Sequence, residues 1–183
     1  MIAVRPARAA DAAAIAAIYA PYVVEGTVSF EVTAPDAATM AGRLAAADGR
    51  YPWLVAERAG TVVGYAHASQ FSAREAYRWA VETTIYVAED GRRSGIGRRL
   101  YGALLATLGA QGFAQAIGRI SLPNYPSIAL HERLGFREAG VLSEIGWKDG
   151  RWIDVAYWQC PLSEPGNPPE EPDAFAATGM QAA

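Results

Sequence analysis

The period of hydrophobic and polar positions changes repeatedly along the chain, and each change marks an element. Met1 to Pro6 reads as a short strand, followed by an alanine-rich helix capped by Asp11, with Ile15, Ile18 and Tyr19 on one stripe. Pro21 interrupts or kinks that helix. The stretch TVSFEV, Thr27 to Val32, alternates and predicts a strand, and Asp36 opens a second helix whose Met40 and Leu44 stripe ends near Asp48 and Gly49. YPWLVAER and TVVGYAHAS predict two strands joined across Ala59 and Gly60. AVETTIYVAED is rich in β-branched residues and predicts a central strand. A long helix then runs to about Gln111 and Gly112, QAIGRISL gives a strand, and PSIALHERLGF gives a short helix stopped by Gly135. FREAGVLSEIGW and RWIDVAYWQC form a closing pair around the turn Lys148 to Gly150.

These elements occupy residues 1–162 and suit one domain. From Ser163 the composition shifts to proline, glutamate and small residues, so 163–183 is expected to be a tail that buries little. The chain has 183 residues, 51% of them hydrophobic and 19% charged, which places it among ordinary globular proteins. A net charge of -3 gives no general basic surface for nucleic acid. No stretch reaches the ~18 apolar residues of a membrane span. Arg5, Arg8 and Asp11 stand where a signal peptide needs its apolar run, and the single cysteine, Cys160, cannot form an internal disulfide. A cytoplasmic location is expected, with no nucleic-acid or membrane partner and no metal.

One charge cluster stands apart from this mildly acidic background. Between the central strand and the long helix lies GRRSGIGRR, Gly91 to Arg99, with three glycines and four arginines. Arginine is unfavourable at the positive end of a helix dipole unless an anion joins it. Glycines there let the backbone turn and aim free N–H groups at one point, which predicts a phosphate site. The chain has no Gly-Lys-Ser/Thr, which excludes a Walker loop, and from Gly95 the sequence GIGRRL lacks the third glycine of a dinucleotide fingerprint.

The spacing Arg92-Arg93-Ser94-Gly95-Ile96-Gly97 resembles the pyrophosphate loop of the GNAT superfamily of acetyl-CoA-dependent N-acetyltransferases. Asn124 followed by SIALHERLGF resembles the same superfamily's second signature, and the order of elements is similar to its C-terminal half. RYPWLVAE, AREAYRWAVETTIYV, AQGF, LPNYPSIALHERLGF and GRWIDVAYWQ resemble one branch, the phosphinothricin N-acetyltransferases and their methionine sulfoximine and sulfone acetylating relatives. The resemblance covers roughly Ile2 to Leu162. It implies an α/β (α+β) fold with a mixed central sheet of about seven strands, flanked by helices and splayed between two central strands. It also implies acetyl-CoA as cosubstrate, a small amino acid as acceptor, and a homodimer.

Residue expectations follow. An α-amino group is largely protonated at neutral pH, so attack on a thioester needs a base. Glu82 matches the family's position for one and would act directly or through a water. His131 stands where many superfamily members have a tyrosine that protonates the leaving thiolate; it is a general acid or a hydrogen-bond partner of the sulfur. Ile85, Tyr86 and Val87 would lend backbone groups to the acetyl and pantetheine parts. Arg93, Ser94, Gly95, Ile96, Gly97 and Arg98 would cradle the pyrophosphate, and Asn124 would hold the pantetheine arm. Acceptor recognition needs a cation for a carboxylate, and Ser72, Ala73, Arg74 and Arg78 lead straight into Glu82. The resemblance adds Phe30 on the pocket wall and Thr83 and Thr84 near the acceptor. His67 is expected to be a packed core residue and Cys160 a buried one. Two alternatives stay open: a GNAT enzyme acting on another small amine or a protein amine, and a CoA-binding regulator without turnover.

Overall fold

The computed structural model describes residues 2–182. Its strands are β1 (Ile2–Pro6), β2 (Trp53–Arg58), β3 (Thr61–Gln70), β4 (Ala80–Val87), β5 (Gln115–Ser121), β6 (Arg137–Lys148) and β7 (Arg151–Pro161). Its helices are α1 (Ala12–Val24), α2 (Ala37–Ala46), α3 (Ile96–Ala110), α4 (Tyr125–Arg133) and α5 (Phe175–Thr178). The strands form one seven-stranded sheet in the order β1-β2-β3-β4-β5-β7-β6. All neighbours are antiparallel except β4 and β5, so the sheet is mixed, as expected.

Both faces of the sheet are covered, and strand alternation assigns the residues to each. Leu54, Ala56 and Ala66 join a cluster with Leu100, Leu104 and Leu108 of α3. Trp53, Val55 and Tyr65, one position out of phase, join Ile15, Ile18, Tyr19 and Val23 of α1 and Met40 of α2. The three α3 leucines are fully buried, each stabilising the fold by about 1.5–3 kcal/mol relative to exposure. Asp36 caps α2 by accepting from the Thr39 N–H at 2.7 Å. Left-handed residues make the tight turns that fix strand register: Ala59 and Gly60 between β2 and β3, Asp149 and Gly150 between β6 and β7.

Three expectations change. Pro21 does not end α1, which continues to Val24; it sits in the last turn, and the Glu25 N–H still reaches the Pro21 carbonyl at 2.8 Å. TVSFEV is not a strand. There Ser29 is buried while Val28, Phe30 and Val32 are exposed, the reverse of a half-buried strand, because the Ser29 hydroxyl pairs with Tyr19 and no strand lies beside it. The tail also packs more than its composition suggests. Phe175 and Met180 lie against the α3-side core, the Gln111 amide donates to the Asp173 carbonyl at 2.8 Å, and the Gln181 N–H donates to Thr107 at 3.0 Å.

Candidate active site

A gap in the sheet creates the site. β4 and β5 pair over only three rungs, Ala80–Gln115, Val81–Ala116 and Glu82–Ile117, and then part. Beyond Glu82, β4 keeps only its β3 partners, so the β5 side of Ile85, Tyr86 and Val87 is left without a ladder. The splay opens a cleft of about 870 Å³, lined by Glu82, Thr83, Thr84, Ile85 and Tyr86 on one side and Asn124 and His131 on the other. Phe30 closes it from the 25–35 loop.

The glycine-arginine turn lies where β4 delivers it, at the start of α3. Arg93 and Gly95 both take left-handed φ values, +60° and +81°, and the Ser94 hydroxyl ties the turn by donating to the Gly91 carbonyl at 2.6 Å. Gly95 caps α3 without a side chain, so the first N–H groups of the helix at Ile96, Gly97 and Arg98 lack intrahelical acceptors. Arg93 and Arg98 are exposed around them, while Arg92 lies 5.1 Å over the Tyr22 ring. At Gly97 an added Cβ would come within 3.4 Å of Leu130 on α4. Asn124 caps α4 by accepting from the Ser127 N–H at 3.2 Å. Splayed main chain, open helix N-terminus and arginines together fit the pantetheine and pyrophosphate of acetyl-CoA.

Glu82 occupies the last rung, its side chain 19% exposed. It is held by Arg119 of β5, whose Nε donates to Oε1 at 2.8 Å and whose Nη2 donates to the same oxygen. Burial works against the Arg119 charge, but Glu82, helped by Tyr157, outweighs it and holds the guanidinium above its ordinary range. Thr84 and Tyr86 share the Glu82 face of the strand. Thr83 points the other way, its hydroxyl 2.8 Å from the Tyr101 hydroxyl and donating to the Ile117 carbonyl at 3.2 Å.

His131 is buried. Its Nδ1 donates to the Ser127 carbonyl at 2.8 Å, which leaves Nε2 as the acceptor facing the Tyr101 hydroxyl at 3.1 Å. Burial pushes its pKa down, so the ring is neutral at pH 7. Thr83, Tyr101 and His131 thus form a chain inside the cleft wall. His67 is stacked 4.0 Å from Trp53, its buried Nδ1 without a hydrogen-bond partner, and burial lowers its pKa to about 4.

Part of the expected acceptor loop lies elsewhere. Arg78 donates through Nε to both carboxylate oxygens of Glu171 in the tail, at 2.7 and 2.9 Å, and stacks 3.9 Å over Trp79. With Ala73 it borders a separate depression, while Ser72 and exposed Arg74 do not line the main cleft. Cys160 is buried as expected, and burial raises its thiol pKa. Sequence reasoning missed Arg119, Tyr101, and the Glu31–Arg43 pair, in which Arg43 donates to both Glu31 oxygens at 2.7 and 2.8 Å. None has a local motif; only the register that puts Arg119 two residues beyond the partner of Glu82 reveals its place.

Among the described residues no three His, Cys, Asp or Glu side chains converge to hold a metal ion, and no helix is long and apolar enough to cross a membrane. The family described as acetyltransferase (GNAT) domain matches residues 4–157. Phosphinothricin N-acetyltransferase of Streptomyces viridochromogenes is 43% identical over 165 residues, 90% of either chain. The L-methionine sulfoximine/L-methionine sulfone acetyltransferase of Pseudomonas paraeruginosa is 38% identical over 164 residues, covering 87% of this chain and 94% of its own. The crystal structure of a GNAT superfamily phosphinothricin acetyltransferase from Sinorhizobium meliloti in complex with acetyl-CoA matches with a TM-score of 0.88 at 42% identity, covering 93% of this chain and 94% of the other. The chain belongs to the GNAT acetyltransferase family, whose cosubstrate is acetyl-CoA.

Proposed function

We propose that the protein acetylates the α-amino group of a small amino acid analogue of the phosphinothricin, methionine sulfoximine or methionine sulfone type, by direct transfer in a ternary complex. The observation that carries this reading is Glu82, a carboxylate on the last rung before the splay, facing the cleft. The names of the relatives supply the acceptor class. Acetyl-CoA supplies an activated acetyl thioester. Glu82 takes a proton from the acceptor's α-ammonium, directly or through a water. Backbone N–H groups of the splayed segment Ile85 to Val87 polarise the carbonyl under attack. The turn Arg93 to Arg98 holds the pyrophosphate, and Asn124 the pantetheine arm. His131, neutral with Nδ1 committed to Ser127 and Nε2 facing the Tyr101 hydroxyl, has no proton to spare for the sulfur and acts by holding the wall through Tyr101; the leaving thiolate takes the proton that the attacking nitrogen gives up.

A homodimer is part of the proposal. Val141, Leu142, Ile145, Trp147 and Trp152 leave apolar side chains exposed along the edge strand β6 and its partner β7, close to the cleft loop that carries Phe30. A free, buried Cys160 suits a reducing cytoplasm. Acetylating phosphinothricin would make resistance to that compound one consequence of the activity.

Release of CoA thiol from acetyl-CoA, measured with phosphinothricin, methionine sulfoximine, methionine sulfone, ordinary amino acids and a peptide panel, tests the reading. Turnover with the amino acid analogues is expected; turnover with peptides alone would move the acceptor to protein amines, and tight CoA binding with no release would make the chain a regulator. In the same assay Glu82→Gln should lower kcat by about 100- to 10,000-fold and leave the acetyl-CoA KM nearly unchanged. Undiminished turnover of Glu82→Gln from pH 6 to 9 would remove Glu82 as the base.

A further inference from the structure

Building on the amino acid acceptor just proposed, we infer that Arg119 is the receptor for the acceptor's α-carboxylate, so that Glu82 and Arg119 together form a site for a zwitterion. An α-amino acid at neutral pH carries an ammonium and a carboxylate on adjacent atoms of one small frame. A site that selects it must present an anion and a cation side by side, with hydrogen-bonding capacity left over on each.

Two arginines line the main cleft among the described residues, Arg43 and Arg119. Arg43 is fully committed in a fork to both oxygens of Glu31, at 2.7 and 2.8 Å. Arg119 is different. Its Nε and Nη2 converge on a single oxygen, Oε1 of Glu82, and neither Nη1 of Arg119 nor Oε2 of Glu82 has a hydrogen-bond partner among the described residues. The pair is therefore half-used at both ends. The Arg119 side chain is 51% exposed against 19% for Glu82, so the guanidinium is the partner free to turn toward an incoming carboxylate. Of the expected cations, neither Arg74 nor Arg78 lines the cleft of its own chain, and Arg78 is held by Glu171, whereas Arg119 stands in the cleft beside Glu82.

Register explains how the two charges meet. Glu82 is opposite Ile117 on the last β4–β5 rung, and Arg119, two residues further along β5, projects from the same face into the gap where β4 has already turned away. Tyr157 of β7 stands directly opposite Arg119 and also lines the cleft, flanking the guanidinium. Arrival of a zwitterion exchanges one ion pair for two: the carboxylate takes the Arg119 fork, and Oε1 of Glu82 is released to accept from the ammonium. The base is thereby freed by the substrate it serves, and an amine lacking the carboxylate leaves it locked against Arg119.

The test compares L-methionine sulfone with its α-carboxamide as acceptors for wild type, Arg119→Gln and Arg119→Lys, following thiol release with acetyl-CoA. Wild type should prefer the carboxylate. Arg119→Gln should lower kcat/KM for the carboxylate acceptor by about 10- to 100-fold, raise that for the carboxamide because Glu82 is no longer locked against the guanidinium, and keep the acetyl-CoA KM within about twofold, which also reports an intact fold. Arg119→Lys should retain part of the preference, since it keeps the charge and loses the fork. A wild-type preference that survives in Arg119→Gln overturns the role of Arg119 alone, as does an equal loss for both acceptors. Wild-type turnover with neither acceptor, while other amines are acetylated, overturns the proposed acceptor class instead.

Discussion

The two walls of the cleft are made in different ways. The wall proposed for the donor, made of the Ile85–Val87 backbone, the glycine turn and the start of α4 through His131, owes its shape to short-range bonds: Ser94 to Gly91, Asn124 to Ser127, His131 to Ser127. The acceptor wall is assembled from distant pieces. Tyr19 pairs with Ser29, Arg43 with Glu31, and the buried Lys148 ammonium donates to the carbonyls of Val23 and Ser29 at 2.6 and 2.8 Å. The 25–35 loop has no ladder of its own; it is held by side chains from α1, α2 and β6. One wall can thus be conserved in shape by local chemistry while the other is retuned by single substitutions far away in the chain.

The strongest test of the donor wall is Gly118→Ala. A Cβ at Gly118 would stand 2.7 Å from Nε2 and 2.9 Å from Cδ2 of His131, which is already packed against Tyr101 and Phe136, so the imidazole must move. We expect a loss of about 1–3 kcal/mol in unfolding free energy and a fall of about 100-fold in kcat, with the acceptor KM little changed. Wild-type kinetics in this variant would show that the position of His131 is irrelevant to transfer.

This contrast also explains what could be read in the chain itself. The turn at Arg93 to Gly97 was legible because glycine and the missing first-turn acceptors act within a few residues, and the mixed sheet of about seven strands was implied by the family resemblance. TVSFEV misled because alternation records which side chains share an environment, and here the buried position is a serine bonded to Tyr19 rather than a core hydrophobe. Arg78 misled because its partner, Glu171, lies in a segment whose composition gives no sign of docking. Arg119 carried no motif at all; its meaning depends on where β4 and β5 stop pairing.

Lys148→Met tests the acceptor wall from its anchor. The substitution keeps an apolar stem of similar length and leaves the Val23 and Ser29 carbonyls without their donor. Unfolding free energy should fall by about 1.5–3 kcal/mol, and the loosened loop should raise the acceptor KM by about tenfold while leaving the acetyl-CoA KM within about twofold. Denaturant titration and steady-state kinetics measure the two effects. Equal rises in both KM values would mean that the walls are not mechanically separate.

The smallest effect separates the walls by their histidines, His67 on the acceptor side and His131 on the donor side. Burial lowers the pKa of both in the folded state, that of His67 to about 4, whereas an unfolded histidine titrates near 6.5. The unfolded chain therefore binds protons first as pH falls, and the stabilisation present above about pH 6.5 is lost progressively toward pH 4. Carboxylates such as Glu31, held low by Arg43, contribute their losses mainly below that window. His67→Phe keeps a ring to stack on Trp53 and removes the unpartnered Nδ1, so its melting temperature at pH 7 should stay close to wild type. Between pH 6.5 and 4.5 the variant should lose several degrees less than the wild type does. Parallel curves for the two proteins would place the acid sensitivity on His131 and the donor wall, and a steeper fall in the variant would contradict a neutral His67 packed on Trp53.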